Sequence, residues 1–315
     1  MDKSFKDLYT EIYSKNSTKL EDLRKPKNEL NKMHVLQVLF LIIISIFSIP
    51  IAAVLFVFCL AINIYITSKQ TDDKTLVERT QEYNNRYEKY KKSFKENVIG
   101  PLISNVFEEA SYNINSGINR VEYKEANFKE NVDYYETEDL ITVKIKGDDG
   151  LSTNIRFAEV HTQKEYTDIR GNKGYSTVFC GLVGIVDLNK NINNKIYIKM
   201  NSNVSNYSNN NVEMDMTKFE NVFDVEATDK ILALRILTSE IMTEMIDLYN
   251  KYKYKFEIHI INNKIYMRIA TGEVFEPNMF KHSLEYETIE KCYLILQALI
   301  NTSTCIYNAV NSIEL

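Results

Sequence analysis

The chain of 315 residues carries 43 acidic and 38 basic side chains, which gives a formal net charge of -5 at pH 7. This balance argues against a nucleic-acid-binding protein, because such domains usually show a basic excess on one face. The 4 cysteines form no CxxC pair. That argues against a zinc site or a disulfide framework and is typical of free thiols in a reducing compartment.

Residues 1–32 are interpreted as a short cytosolic arm. Its first half predicts an amphipathic helix that ends before Lys25-Pro26. Such a helix can lie on lipid or dock on the folded domain, and its polar face of mixed sign favours docking. The apolar residues at helical spacing are Phe5, Leu8, Tyr9, Ile12 and Tyr13.

Residues 33–68 contain no Asp, Glu, Lys or Arg and are rich in Leu, Ile, Val and Phe. As one helix this run would be about 54 Å long, against a hydrocarbon core of ~30 Å. Pro50 lies at its middle, where proline removes a helix hydrogen bond. We therefore predict a transmembrane helical hairpin, with short helices at about 35–48 and 51–67, that contacts the lipid bilayer.

Basic residues flank this run on both sides, beginning with Lys32 and Lys69. A hairpin places both flanks in the cytoplasm, whereas a single span would put one of them on the wrong side. The predicted localisation is thus the cell membrane, multi-pass, with both termini cytoplasmic. One kinked span remains the alternative, because helices of about 13 to 16 residues fall short of the ~17 normally needed to cross.

Residues 69–120 read as a helical linker. Tyr83, Tyr87 and Phe94 recur at helical spacing, and Gly100-Pro101 predicts a break before a second helix over 102–114.

Residues 121–315 predict a cytosolic α+β domain with a largely antiparallel sheet and packed helices. Apolar and polar residues alternate with period two on both sides of the turns 147–150 and 170–174, and Asn262-Asn263 is a hairpin signal. The apolar run 179–186 predicts a central strand buried on both faces.

Two helical regions follow in the same domain. Asp229 is the expected N-cap of the first, which Thr238-Ser239 can split in two. The residues expected on its apolar face are Ile231, Leu234, Leu237, Ile241, Met245 and Leu248. A C-terminal helix over 285–312 should close the domain.

Several short blocks resemble the bacterial family called domain of unknown function 3137. The resemblance covers roughly residues 95–280, with Ser239 standing where the family pattern has proline. It implies a membrane-anchored protein with a cytosolic domain and brings no activity, substrate or catalytic residue. The blocks are Phe157-Ala-Glu-Val-His161, Phe179-Cys-Gly-Leu182, Phe223-Asp-Val-Glu-Ala227, Leu234-Arg-Ile-Leu-Thr238, Asn263-Lys-Ile-Tyr-Met267 and Phe275-Glu-Pro277.

Glu159 and His161 are the weak candidates for a catalytic site. They are two residues apart on a predicted strand and therefore share one face, where a carboxylate can orient an imidazole base or help it bind metal. A pair of partly exposed strand residues is the alternative reading, since no third ligand stands at a recognisable spacing. The run Asp187-x-Asn189-x-Asn191 begins like a calcium loop and then lacks its glycine and bidentate glutamate. We expect no metal and no cofactor.

Two functions remain open at this point. We expect a noncatalytic module that binds a protein or lipid partner at the inner membrane surface, or that self-associates. The alternative is a membrane-associated enzyme with a site near Glu159 and His161. A catalytic site should be a concave pocket with several ionisable groups, whereas a binding module should show an apolar or aromatic surface patch.

Overall fold

The computed structural model describes residues 4–24, 76–107, 109–201, 209–277, 282 and 284–313. Its fold class is α+β, as predicted, with helices and a large antiparallel sheet. The chain divides into two compact units. The first comprises Met1–Leu8, Ile99–Phe275 and Glu287–Leu315, and the second comprises Tyr9–Val98 and Glu276–Tyr286.

The helices are numbered here in chain order. They are α1 (5–24), α2 (Leu76–Phe94), α3 (Gly100–Val106), α4 (Arg120–Glu125), α5 (Thr217–Glu220), α6 (Lys230–Ile236), α7 (Ser239–Tyr252) and α8 (Tyr286–Ser312), with a π-helical turn at Lys95–Ile99.

The strands of the described chain form one sheet in the order β1-β2-β3-β4-β9-β8-β5-β7-β6, and every neighbouring pair is antiparallel. They are β1 (Ala110–Asn113), β2 (Tyr134–Lys146), β3 (Ser152–Thr167), β4 (Lys173–Asp187), β5 (Lys195–Met200), β6 (Asn211–Val212), β7 (Phe223–Ala227), β8 (Phe256–Ile261) and β9 (Lys264–Ile269).

The predicted hairpins are confirmed. Gly150 and Gly171 have φ angles of 81° and 83°, which glycine adopts without the steric penalty of a Cβ atom. The turns at these glycines join β2 to β3 and β3 to β4, and Asn262-Asn263 joins β8 to β9. The strands β3 and β4 have 16 and 15 residues and form the longest ladder of the sheet.

Both faces of the sheet are covered in its middle, as expected for the apolar run in β4. On one face, Val160 and Val183 pack in a cluster with Tyr123 and Phe128 from the α4 region. On the other face, the Ser303 hydroxyl of α8 lies 3.6 Å from the Met267 sulfur of β9. The central strands are therefore buried between α4 and α8.

The predicted apolar face of the α6–α7 region is partly wrong. Asp229 caps α6 and Thr238 caps α7, so the predicted split is confirmed. That break changes the helical phase, and Ile231 and Leu234 are 72% and 46% exposed. The residues that α6 buries are Leu232, Ala233 and Ile236.

The helical linker needs a similar correction. The second helix, predicted over 102–114, ends at Val106, and Ala110–Asn113 instead forms β1 at the edge of the sheet. The sheet thus begins before residue 121. The break predicted at Gly100-Pro101 is wrong, because the π-helical turn continues directly into α3 and Ile99 keeps helical dihedral angles.

The predicted membrane hairpin over 33–68, with its helices at 35–48 and 51–67, lies outside the described residues. Among the helices of the described residues, none combines the length and the apolar character needed to cross a bilayer.

In the second unit, α1 packs on protein segments. The Tyr9 hydroxyl donates a hydrogen bond to the Leu284 carbonyl at 2.7 Å, and the Arg86 guanidinium donates to the Asp22 carbonyl at 2.8 Å. Ile12 is only 3% exposed. These contacts match the docking interpretation of the N-terminal helix.

A buried histidine in the first unit should make the stability of the fold depend on pH. His259 on β8 is fully buried, and its Nδ1–H donates to the Ala126 carbonyl at 2.7 Å. Burial lowers the pKa of His259 from 6.5 to about 3, although the bond to Ala126 opposes the shift. Because the unfolded chain binds this proton below its ordinary pKa and the folded chain does not, acid favours unfolding.

We predict that the His259→Asn substitution flattens the acid side of the stability profile. Asparagine keeps an N–H donor near the position of Nδ1 but cannot titrate. For the wild type, the titration of His259 should lower the free energy of unfolding by about 1.4 kcal/mol per pH unit between roughly pH 6 and pH 4. Urea unfolding followed by circular dichroism at several pH values measures the difference in slope. Equal slopes in both proteins would contradict the prediction.

Candidate functional site

Glu159 and His161 lie on β3, which runs between β2 and β4. The pairing register sets Glu136 of β2 and Cys180 of β4 opposite His161, and Glu138 opposite Glu159. Directly opposed residues of antiparallel strands point to the same face of the sheet. The register therefore gathers ionisable side chains from three strands around the two predicted residues.

These side chains line a cavity of about 230 Å³. The cavity lies in the first unit. It is concave and has several ionisable groups, as a catalytic site should. The lining residues are Glu136, Thr137, Glu138, Glu159, Val160, His161, Cys180, Gly181, Gly272 and Glu273.

Two hydrogen bonds from the backbone give Glu159 a structural role in this cavity. Its side chain is 5% exposed. One carboxylate oxygen, Oε1, accepts the backbone N–H groups of Val274 at 2.6 Å and Phe275 at 2.9 Å. A carboxylate that accepts two backbone N–H groups fixes the segment that carries them. Glu159 thus holds the chain that follows β9 against β3.

His161 is only partly buried, and its Nε2 lies 3.0 Å from the Thr177 hydroxyl of β4. A histidine hydrogen-bonded to a threonine lacks the carboxylate orienter that a catalytic triad supplies. The structure therefore places both predicted residues in one cavity but directs their hydrogen bonds to different partners.

Cys180 does not meet the requirement for a nucleophile. Burial raises the pKa of the Cys180 thiol, and the negative charges of Glu273 and Glu159 raise it further. Reactive cysteines have a lowered pKa, because the thiolate is the attacking species. The negative charges around Cys180 therefore disfavour thiolate chemistry in this cavity.

Carboxylates of Glu138, Asp139 and Glu159 lie within 4.8 Å of one another. Asp139 sits at an irregularity of β2 with a φ of 60°, and the Tyr112 hydroxyl donates to its Oδ1 at 2.5 Å. Burial and the neighbouring Asp139 raise the pKa of Tyr112, so the phenol remains a donor. Such carboxylates could ligate a hard cation, but acidic groups alone do not define a metal site, and we assign no ion.

Sequence reasoning missed the partners that other strands contribute. Counting back through the 147–150 turn would set Glu136 opposite Thr162, because it misses the register shift between Glu138 and Ile141. Cys180 could not be placed in this way either, because a register shift between Thr162 and Gln163 adds a residue to the β3–β4 pairing. Glu273 follows β9 in a segment without regular structure and carries no period-two signal.

A second surface feature lies on the same two strands. The pairing of β2 with β3 ends at Gln163, and that of β9 with β4 ends at Leu182. Residues 164–177, named here the β-arm, therefore extend past the neighbouring strands. Large hydrophobic side chains that are 40% to 104% exposed lie on the β-arm or beside it, namely Tyr134, Tyr166, Ile169, Tyr175 and Val178.

Aromatic contacts organise the base of the β-arm. The Tyr134 and Tyr175 rings meet edge to face with centroids 4.5 Å apart, and their hydroxyls are 2.9 Å apart. Between β3 and β4, the Tyr166 ring covers Gly174. A Cβ atom at Gly174 would overlap this ring. The β-arm is thus an ordered hairpin with an aromatic surface.

We predict that Glu159→Ala destabilises the first unit. Removing the carboxylate leaves the N–H groups of Val274 and Phe275 without this acceptor, which should cost about 2 kcal/mol or more in the free energy of unfolding. The matched control is Glu273→Ala in the same cavity, where an exposed side chain should change stability by less than about 0.5 kcal/mol. Urea titration compares the two variants. Equal losses would show that Glu159 does not hold this segment.

Comparison with known proteins found one solved structure and one family model. Comparison with curated proteins yielded no match. The crystal structure of the mycobacterial trehalose monomycolate transport factor A, TtfA, aligns with 8% identity and a TM-score of 0.34, covering 67% of this chain and 94% of that one. A likeness at that TM-score supports no inference about this protein.

Residues 177–303 match the family model described as "Protein of unknown function (DUF3137)". The match includes β4, the strands β5 to β9 and most of α8. It contains the predicted blocks from Phe179 onward, whereas the block Phe157–His161 precedes it. Residues 177–303 of this chain are therefore similar to the DUF3137 family.

Proposed function

We propose that this protein is a noncatalytic binding module tethered to the inner membrane surface. In this proposal, residues 33–68 form the membrane hairpin, both termini are cytoplasmic, and the β-arm of the α+β domain binds a protein partner. The observation that carries the proposal is the exposed aromatic surface of the β-arm. Tyrosine is enriched at protein interfaces, because its rigid ring buries a large area and its hydroxyl keeps a polar contact.

The charges of the β-arm favour a protein partner over a lipid surface. Lys173 is paired with Glu165 at 2.6 Å. Asp168 accepts the backbone N–H groups of Arg170 and Asn172 within the turn, so its carboxylate stays at the tip. Anionic lipid headgroups attract clusters of basic residues, and this tip mixes both signs.

The tether rests on the sequence. The run 33–68 has no charged residue and is flanked by basic residues at both ends. Hydrocarbon accepts such a run readily, whereas a soluble core rarely holds apolar helices of this length.

We expect the full-length protein to sediment with membranes from lysed cells and to resist carbonate extraction. A variant with residues 33–68 replaced by a Gly/Ser linker of equal length should stay in the supernatant. Protease added outside intact spheroplasts should leave the C-terminal two-thirds uncut. Wild-type protein in the supernatant, or digestion of that part from outside, would contradict the tether.

We expect a photo-crosslinking residue at Tyr166 to form covalent adducts with protein in native membranes. The matched control is Val121, which is 69% exposed on α4 and is not part of the β-arm. Protein adducts from position 166 and none from position 121 support the proposal. Equal adducts at both positions, or lipid adducts alone at 166, would contradict a protein-binding β-arm.

The cavity at His161 supports the second candidate function, an enzyme acting near the membrane with Glu159 and His161 in its site. The two functions differ in which substitution matters. If His161→Ala abolished the cellular function of the protein while Tyr166→Asp preserved it, the site would be the cavity. The reverse pattern would place function on the β-arm.

A further inference from the structure

The outer edge of β4 is open within the β-arm. β9 pairs with β4 only from Leu182 onward. The next backbone bond on that side joins the Gly272 N–H to the Cys180 carbonyl at 3.2 Å. Before Cys180, in the part of the chain that the structure describes, β4 pairs with β3 alone. An edge strand presents outward N–H and C=O groups that can template another strand.

The other edge of the β-arm is protected. The Glu165 backbone N–H on β3 donates to the Asp133 carboxylate at 2.8 Å, which occupies that edge. The two edge strands of the sheet are short, with 4 residues in β1 and 2 in β6. In the part of the chain that the structure describes, the β4 edge of the β-arm therefore has no neighbouring strand on its outer side.

Residues 174–178 carry no charge and no proline, and the register shift at Val178, which has no opposing residue on β3, lies at the end of this run. Native proteins blunt such edges with lysine, proline or inward-pointing charges. The sequence here is Gly-Tyr-Ser-Thr-Val, which has neither charge nor proline. Lys173 at its start is already paired with Glu165 of its own strand pair at 2.6 Å.

We propose that the partner of the β-arm is a second copy of this chain, and that the two β4 edges pair antiparallel about a twofold axis near Tyr175. This inference rests on the proposed function, because it names the partner of the same surface. A twofold axis across a sheet edge always relates identical strands in antiparallel fashion, and the resulting contact closes on itself. The dimer would contain one sheet that continues through both β-arms.

The side chains fit this register. It sets Tyr175 beside Tyr175 of the second copy and Lys173 opposite Thr177, so the edge brings no like charges together. The Tyr134–Tyr175 ring pair of each copy then extends into a cluster of four tyrosines. A short edge contact suffices when both copies are tethered by residues 33–68 to one membrane, because confinement raises their effective concentration.

A charge-reversal pair tests the proposal on the full-length protein in lipid nanodiscs and detergent, with sedimentation velocity as the measurement. Tyr175→Lys and Tyr175→Glu each place like charges opposite each other, so each should raise the dimer Kd by about tenfold or more. An equimolar mixture of the two variants should restore dimers. Thr167→Lys and Thr167→Glu on β3 of the same β-arm are the matched controls and should leave the Kd unchanged.

The outcomes separate this inference from the proposed function. A wild-type protein that stays monomeric, or a dimer that ignores both Tyr175 variants, overturns the β4 pairing. In that case, adducts from position 166 to a different protein would still support a protein-binding β-arm. If position 166 gave no protein adduct and the protein stayed monomeric, both the β4 pairing and the protein-binding function of the β-arm would be overturned. Circular dichroism checks that each variant retains its fold.

Discussion

The antiparallel pairing of β3 with β4 is the constraint on which the cavity and the β-arm both depend. It runs from Ile155 opposite Val186 to Thr167 opposite Lys173. At the far end, the Asp168 carboxylate fixes the turn by accepting the N–H groups of Arg170 and Asn172. A slip of one residue would move every β3 side chain to the other face. It would expose the core residue Val160 and bury His161.

A register shift divides this ladder into two parts with different surroundings. It falls between Thr162 and Gln163. Before it, β3 lies within the sheet and its faces are covered by helices. Beyond it, the strands leave β2 and β9 behind, and their side chains are mostly exposed. Bulges bend strands and end pairing, so this irregularity marks where the packed sheet becomes a projecting β-arm.

The sequence predicted the local elements better than their partners. Period-two alternation and the turn glycines located the hairpins, because those signals act within a few residues. The four residues of β1 gave no such signal, since a short edge strand needs its neighbour to be stable. The face of α6 was misplaced at Ile231 and Leu234, because the capped break at Thr238 resets the helical phase.

The same distinction applies to the candidate site. That Glu159 and His161 share a face follows from strand geometry alone. What they contact could not be predicted, because the partners of Glu159 come from a segment more than a hundred residues later.

The observed contacts of Glu159 indicate a structural role for it rather than a catalytic one. A buried carboxylate that holds two backbone N–H groups stabilises a chain crossing, and its charge helps to keep the Cys180 thiol protonated. In the cavity, the hydrogen bonds of Glu159 therefore serve the stability of the fold. The exposed aromatic side chains and the open strand edge lie farther along the same strands, in the β-arm.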